Sequence, residues 1–257
     1  MAACRTCQEP LTLILEPDSD DEGQSSQPQT VPDDLALPCG CHHHWQCIFD
    51  KASTIAISLS CPSCSAYLPS NAPGPSVTNA FLSAAQATPI LATYTNEGGT
   101  EEDLDIMPAL TEEAYLTANP EARPARAMHT MAAAGDGVGI MELLTDVEEE
   151  EDFAGNTSRL LRWTDPLNGG RTVLHVAIEE KQEEVFWLLL WLGSGLKTDF
   201  FPAEVMRTAD ALGLPRRDVP RGEDARFLVD EAGRSPADLL VQMGPPWSLY
   251  VDGGLFM

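Results

Sequence analysis

Residues Leu37–Cys64 read LPCGCHHHWQCIFDKASTIAISLSCPSC, and this stretch decides the fold. It holds five of the chain's seven cysteines and three of its five histidines. With Cys4 and Cys7 upstream, the ligand-type residues fall into four pairs: Cys4/Cys7, Cys39/Cys41, His44/Cys47 and Cys61/Cys64. A Cys-x-x-Cys turn converges two sulfurs on one metal, and structural zinc takes four such ligands in a tetrahedron. Eight ligands therefore predict two closed zinc sites that use every cysteine. Disulfides are the alternative. The odd cysteine count and the absence of a signal-peptide pattern favour metal. The histidine run leaves the register open. His44 stands two residues from Cys47, as in the other pairs, whereas His42 or His43 requires looser geometry.

Working outward, charge narrows the function classes. The chain of 257 residues carries 40 acidic and 15 basic residues, a net charge of −25. A polyanion gains nothing from counterion release on DNA or RNA, which excludes a nucleic-acid partner. Anionic membrane surfaces are disfavoured by the same repulsion. The start MAACRTCQEP has no apolar leader core, and the longest apolar run, Val185 to Leu192, is far short of a membrane span. The expectation is a soluble cytoplasmic or nuclear protein.

Leu11 to Leu15 reads as a short strand. Residues 16–34 are acidic, polar and proline-bearing, and predict a flexible loop. Residues 69–125 read as a linker with short helices. Within it, Phe81 to Leu91 has helical apolar spacing, Asn96 to Asp105 is Gly- and acid-rich, and Thr111-Glu112-Glu113 starts a helix that Pro120 stops.

The four pairs, with Leu37-Pro38-Cys39-Gly40 and Cys61-Pro62-Ser63-Cys64, resemble a RING-type zinc finger over residues 1–68. The resemblance implies interleaved pairs. Cys4, Cys7, His44 and Cys47 would hold one zinc, and Cys39, Cys41, Cys61 and Cys64 the other. It places a central helix over Ile48 to Leu59. It also implies docking of a ubiquitin-conjugating enzyme, with contact positions at Thr6, Ile48, Lys51, Pro62 and Ser65. Thr6, Lys51 and Ser65 stand where that family usually has an apolar residue, a tryptophan and a cation.

The C-terminal half contains repeated matter. Thr172-Val173-Leu174-His175-Val176-Ala177, followed by Glu184 to Leu190 and Gly193, resembles an ankyrin repeat, with Asp165 and Gly170 in the preceding turn. Asp230 to Pro236 running into Asp238-Leu239-Leu240 is a second match, and Met128-His129 with Gly135-Asp136 and Leu143-Leu144 a third. Thr172 and Ser235 are 63 residues apart. That is about two ankyrin periods of roughly 33, which predicts a degraded repeat between them with its first helix over Ala203 to Leu212. The acidic run Glu148 to Asp152 falls in an enlarged loop. His129 and His175 are read as structural residues that hydrogen-bond the turns. Gly135 to Gly139 follows a helix rather than a strand, the wrong context for a phosphate cradle.

The expected architecture is therefore a small α+β zinc-stabilised RING-type domain, then an all-α ankyrin-repeat solenoid of three to four divergent repeats over 126–257. The combination resembles a RING-type ubiquitin ligase that recruits a protein substrate through its repeats. The alternative is a zinc-binding adaptor without transfer activity. Trp187 and Trp191, one turn apart on the second helix of a repeat, are candidate partner contacts. Burial under the linker or the apolar tail Trp247 to Met257 is the competing reading.

Overall fold

The computed structural model describes residues 3–15, 29–69, 89–149, 157–211, 213, 214, 216 and 218–256. The chain divides into two compact units, Met1–Pro120 and Glu121–Met257. The first mixes small sheets with helices, and the second is built on helices.

In the first unit, β1 (Thr12–Leu15) pairs antiparallel with β2 (Gln29–Pro32). A four-stranded antiparallel sheet runs in the order β4-β3-β5-β6. Its strands are β3 (Asp34–Ala36), β4 (His42–His43), β5 (Leu91–Asn96) and β6 (Gly99–Asp105). Leu35 of β3 lies opposite His43 on one side and Tyr94 on the other. Among the described residues three helices complete the unit: α1 (Trp45–Phe49), α2 (Ala52–Ser58) and α3 (Met107–Ala118).

Two expectations are corrected here. Of the predicted loop 16–34, residues 16–28 lie outside the described residues, and the remainder is β2 and the start of β3. Asp33 between these strands is 2% exposed, and its Oδ1 accepts from the Trp45 N–H at 3.2 Å and the Tyr94 hydroxyl at 3.1 Å. Its charge is thus a buried tie rather than a solvated loop charge. The supposed linker Asn96 to Asp105 is a hairpin. Asn96 pairs with Gly99 across a Glu97-Gly98 turn, and Asn96 Oδ1 accepts from the Gly98 N–H at 2.8 Å. Of the helix read over Phe81 to Leu91, residues 81–88 lie outside the described residues, and Leu91 opens β5.

The hairpin and α3 belong to the core of the first unit, which therefore extends well past residue 68. Ile90, Ala92, Ile106 and Leu110 are buried in one cluster with Leu35, Ile48, Ile55 and Leu68. Asp105 fixes the start of α3, because its Oδ1 accepts from the Met107 N–H at 3.0 Å and the Ile90 N–H at 3.1 Å. The helix thus begins a turn before Thr111, with a proline in its first turn where the missing N–H costs nothing. It ends at Ala118, as read from the sequence.

The second unit has three helix pairs: α4 (Arg123–Ala134) with α5 (Gly137–Glu149), α7 (Val173–Glu179) with α8 (Glu183–Gly193), and α10 (Pro236–Met243) with α11 (Ser248–Asp252). Between them lie α6 (Thr157–Leu161) and α9 (Ala203–Ala211). The first helices lie side by side, α4 on α7 and α7 on α10. The starts of α7 and α10 are capped alike. Thr172 and Ser235 each form a reciprocal box with the residue three positions on, His175 and Asp238. Phe186, Leu174 and Ile178 are fully buried in the core between them.

The helix expected over Ala203 to Leu212 is present as α9, with Leu212 outside the described residues, but among the described residues it adds no repeat to this stack. α7 meets α10 directly, and the Glu231 N–H donates to the Gly169 carbonyl at 2.9 Å. The intervening segment instead folds back on the end of α8. The Arg216 guanidinium donates to the carbonyls of Leu190 and Trp191 in the last turn of α8, which a helix end leaves short of partners, and to those of Ser194 (2.6 Å) and Leu196 (2.6 Å) just beyond it. The acidic run is also not simply a loop: Glu148 and Glu149 end α5, and residues 150–156 lie outside the described residues.

Candidate metal centres

The ligand-type residues gather into two groups of four. Donor atoms of Cys4, Cys7, His44 and Cys47 all lie within 4.8 Å of one another, and so do those of Cys39, Cys41, Cys61 and Cys64. Chain order alternates between the groups: first and third pairs in one, second and fourth in the other. All seven cysteines are free thiols, so no disulfide competes for them.

Local turns aim the donors. Gln8 N–H closes the first turn onto the Cys4 carbonyl at 2.9 Å, with Gln8 in the left-handed region at φ 68°. His44 and Cys47 lie at the start of α1. Cys39 and Cys41 flank Gly40, whose φ of 78° makes the tight turn between β3 and β4. Cys61 and Cys64 follow α2, which Leu59 ends in the left-handed region at φ 53°. The Ser65 N–H bonds the Cys61 carbonyl at 2.9 Å.

His44 is oriented from behind. Its Nε2–H donates to the Pro10 carbonyl at 2.8 Å, which leaves the Nδ1 lone pair facing Cys7 Sγ at 3.2 Å. A carbonyl on the far ring nitrogen is the usual way a metal-binding imidazole is held. The neighbouring histidines point elsewhere. His42 Nδ1 lies 2.7 Å from Asp34 Oδ1, and the buried His43 has its Nδ1 3.0 Å from Thr6 Oγ1. Pro10 carries no sequence signal for this role, because a backbone carbonyl does the work.

The thiols are electrostatically split. Burial opposes ionisation of Cys4, but the N–H groups of Cys7, His44 and Thr6 outweigh it and bring the thiol down to about 6. In the same group, burial and the thiols of Cys4 and Cys7 push Cys47 up to about 12. The second group repeats this. Cys64 falls to about 7, chiefly through the Ala66 N–H, while burial and the neighbouring thiols raise Cys39 to about 12. Sulfurs this crowded cannot all ionise unaided. A bound divalent cation removes the conflict by taking them as thiolates. Both groups are thus suited in geometry and donor chemistry to hold a metal ion.

The other sequence-predicted positions divide. Thr6, Lys51, Pro62 and Ser65 are exposed. Ile48 is not a surface contact; it is 0% exposed and packs in the core of the first unit. Trp187 and Trp191 are each 6% exposed, which corrects their reading as an open binding face. Tyr250 of the tail stands 5.3 Å from the Trp187 ring, and Phe201 of the inserted segment 5.1 Å from the Trp191 ring. Phe201 also stands 5.9 Å from the Trp187 ring, so the tail and the insertion together cover Trp187 and the insertion covers Trp191. Among the described residues no helix is long and apolar enough to cross a membrane. Compared with known proteins, the chain matches no family model, no curated protein and no solved structure.

Proposed function

We propose that the first unit is a RING-type module with two structural zinc ions, and that the protein is a ubiquitin ligase. It would dock a charged ubiquitin-conjugating enzyme and recruit a protein substrate through ankyrin repeats in the second unit. The observation that carries this reading is the alternation of the four ligand pairs between two four-donor groups. Such sites have no open metal position, so zinc would shape a docking surface, and transfer would proceed by proximity and orientation. The side-by-side α4, α7 and α10, with matched caps at Thr172 and Ser235, support the repeat assignment.

An adaptor without transfer activity is the second reading. Ile48 is withdrawn into the core, and Ser65, which carries no charge, follows the last ligand at φ 60°. Discharge of ubiquitin from loaded conjugating enzymes onto free lysine separates the two. Self-modification is a poor test, since the chain offers only Lys51, Lys181 and Lys197. The ligase reading expects modest acceleration, lost in Pro62→Ala and raised in Ser65→Arg. No acceleration with any carrier, with or without Ser65→Arg, leaves the adaptor.

A further inference from the structure

A groove of about 670 Å³ lies in the second unit between the start of α5, α8 and α9. It is on the side of the second helices of the first two pairs, whereas the stack runs through α4 and α7. Its apolar lining comes from Val138, Leu188, Val205 and the edges of Trp187 and Trp191. Val138 is 70% exposed at the mouth, an apolar side chain left in water. The turn into α5 is glycine, and a Cβ on Gly137 would already touch Leu188 at 3.6 Å, so bulk there would narrow the groove.

The rim has one sign of charge. Asp136, Glu183, Glu184 and Glu204 line the groove, and among the described residues lining it none is cationic. Among the described residues, the two guanidinium groups nearest it in sequence are engaged. Arg216, under Trp191, donates to the carbonyls at the end of α8, and Arg207 lies 3.8 Å from Glu204 in a solvent-exposed pair. An apolar floor inside a carboxylate rim selects a ligand with the inverse pattern.

We propose that this groove docks a peptide segment of a partner protein that presents a large apolar side chain flanked by lysine or arginine. The proposal goes beyond the reading of the metal centres, because it requires neither zinc nor ubiquitin transfer.

The test is titration of the full chain with a synthetic leucine–lysine peptide, followed by tryptophan emission and calorimetry, with a leucine–glutamate peptide beside it. Saturable binding of the lysine peptide alone is expected, weakening as salt rises. Val138→Lys and Glu184→Lys should each lower affinity about tenfold. Both positions are exposed, so folding should survive, and circular dichroism checks that it does. Glu101→Lys, the same charge change as Glu184→Lys but on exposed β6 of the first unit, should leave binding intact. Equal losses in all three variants would mean that the peptide senses net charge only, and would overturn the proposal. So would equal binding of both peptides, or no binding of either.

Discussion

His175 Nε2 lies 3.0 Å from the carbonyl oxygen of Arg234, while its Nδ1 faces the N–H and hydroxyl of Thr172 at 3.3 and 2.7 Å. One fully buried ring therefore ties the start of α7 to the start of α10. Replacing it with alanine leaves two helix starts with unmet polar groups. We expect His175→Ala to cost about 3 kcal/mol in urea unfolding of the second unit, given roughly 1–3 kcal/mol per orphaned buried group. A loss below ~1 kcal/mol would show that the ring only fills space.

Metal analysis should return two zinc ions per chain. Structural zinc contributes about 10–16 kcal/mol of folding free energy per site in model peptides at neutral pH. Cys39→Ala and Cys61→Ala should each unfold the first unit as far as α3 and leave the helix pairs of the second intact. The check is circular dichroism with limited proteolysis before and after chelation. One zinc or none per chain sinks the two-site reading.

His129 should make the second unit acid-sensitive. It is 4% exposed, with Asp165 Oδ2 3.9 Å from its Nδ1, the Trp163 ring 5.2 Å away and Arg126 on the same helix. Burial first, then Arg126, lower its pKa from 6.5 to about 3. Between those values the unfolded chain binds the proton and the folded chain does not, so stability falls as pH drops through that window. The slope attributable to His129 is on the order of 1 kcal/mol per pH unit. His175 is lowered by burial as well and acts with the same sign. His129→Gln should remove only its own share, and an unchanged slope in unfolding curves across pH would rule the assignment out.

The turns of the first two helix pairs each pass through one residue in the left-handed region. Gly135, between α4 and α5, has φ 78°, and Lys181, between α7 and α8, has φ 60°. Lysine there pays the steric cost of the left-handed region, about 1 kcal/mol. Lys181→Gly should therefore be close to neutral or stabilising, by up to ~1 kcal/mol in thermal unfolding. Gly135→Ala should destabilise. Besides its φ, a Cβ there would lie 2.6 Å from Oε1 of Gln182, whose Nε2 donates to the Ala133 carbonyl.

The grouping of the candidate ligand pairs was legible because each is a local turn with short, fixed spacing. The choice of His44 among three histidines was legible for the same reason. The extent of the first unit was not. Gly98-Gly99 and the acids of β6 look like linker, because a hairpin edge facing solvent needs few apolar residues. What places β5 is its pairing with β3, a contact between segments more than fifty residues apart that no local pattern announces. The spacing of Thr172 and Ser235 misled in the opposite way. A length near two repeat periods is filled by a segment that caps α8 through Arg216 instead of adding a repeat.

Strand β3 is hydrogen-bonded on one side to β4, which separates ligands of the two metal groups, and on the other to β5. Loss of metal order therefore need not stop at the cysteines. If β4 frays, β3 loses its flank and the hairpin its anchor, so all these strands should open as one cooperative unit. Amide hydrogens of Tyr94 and Thr95, which bear no metal ligand, should then exchange with solvent at a rate set by metal occupancy. Protection in a strand remote in sequence becomes a gauge of whether the centres are filled.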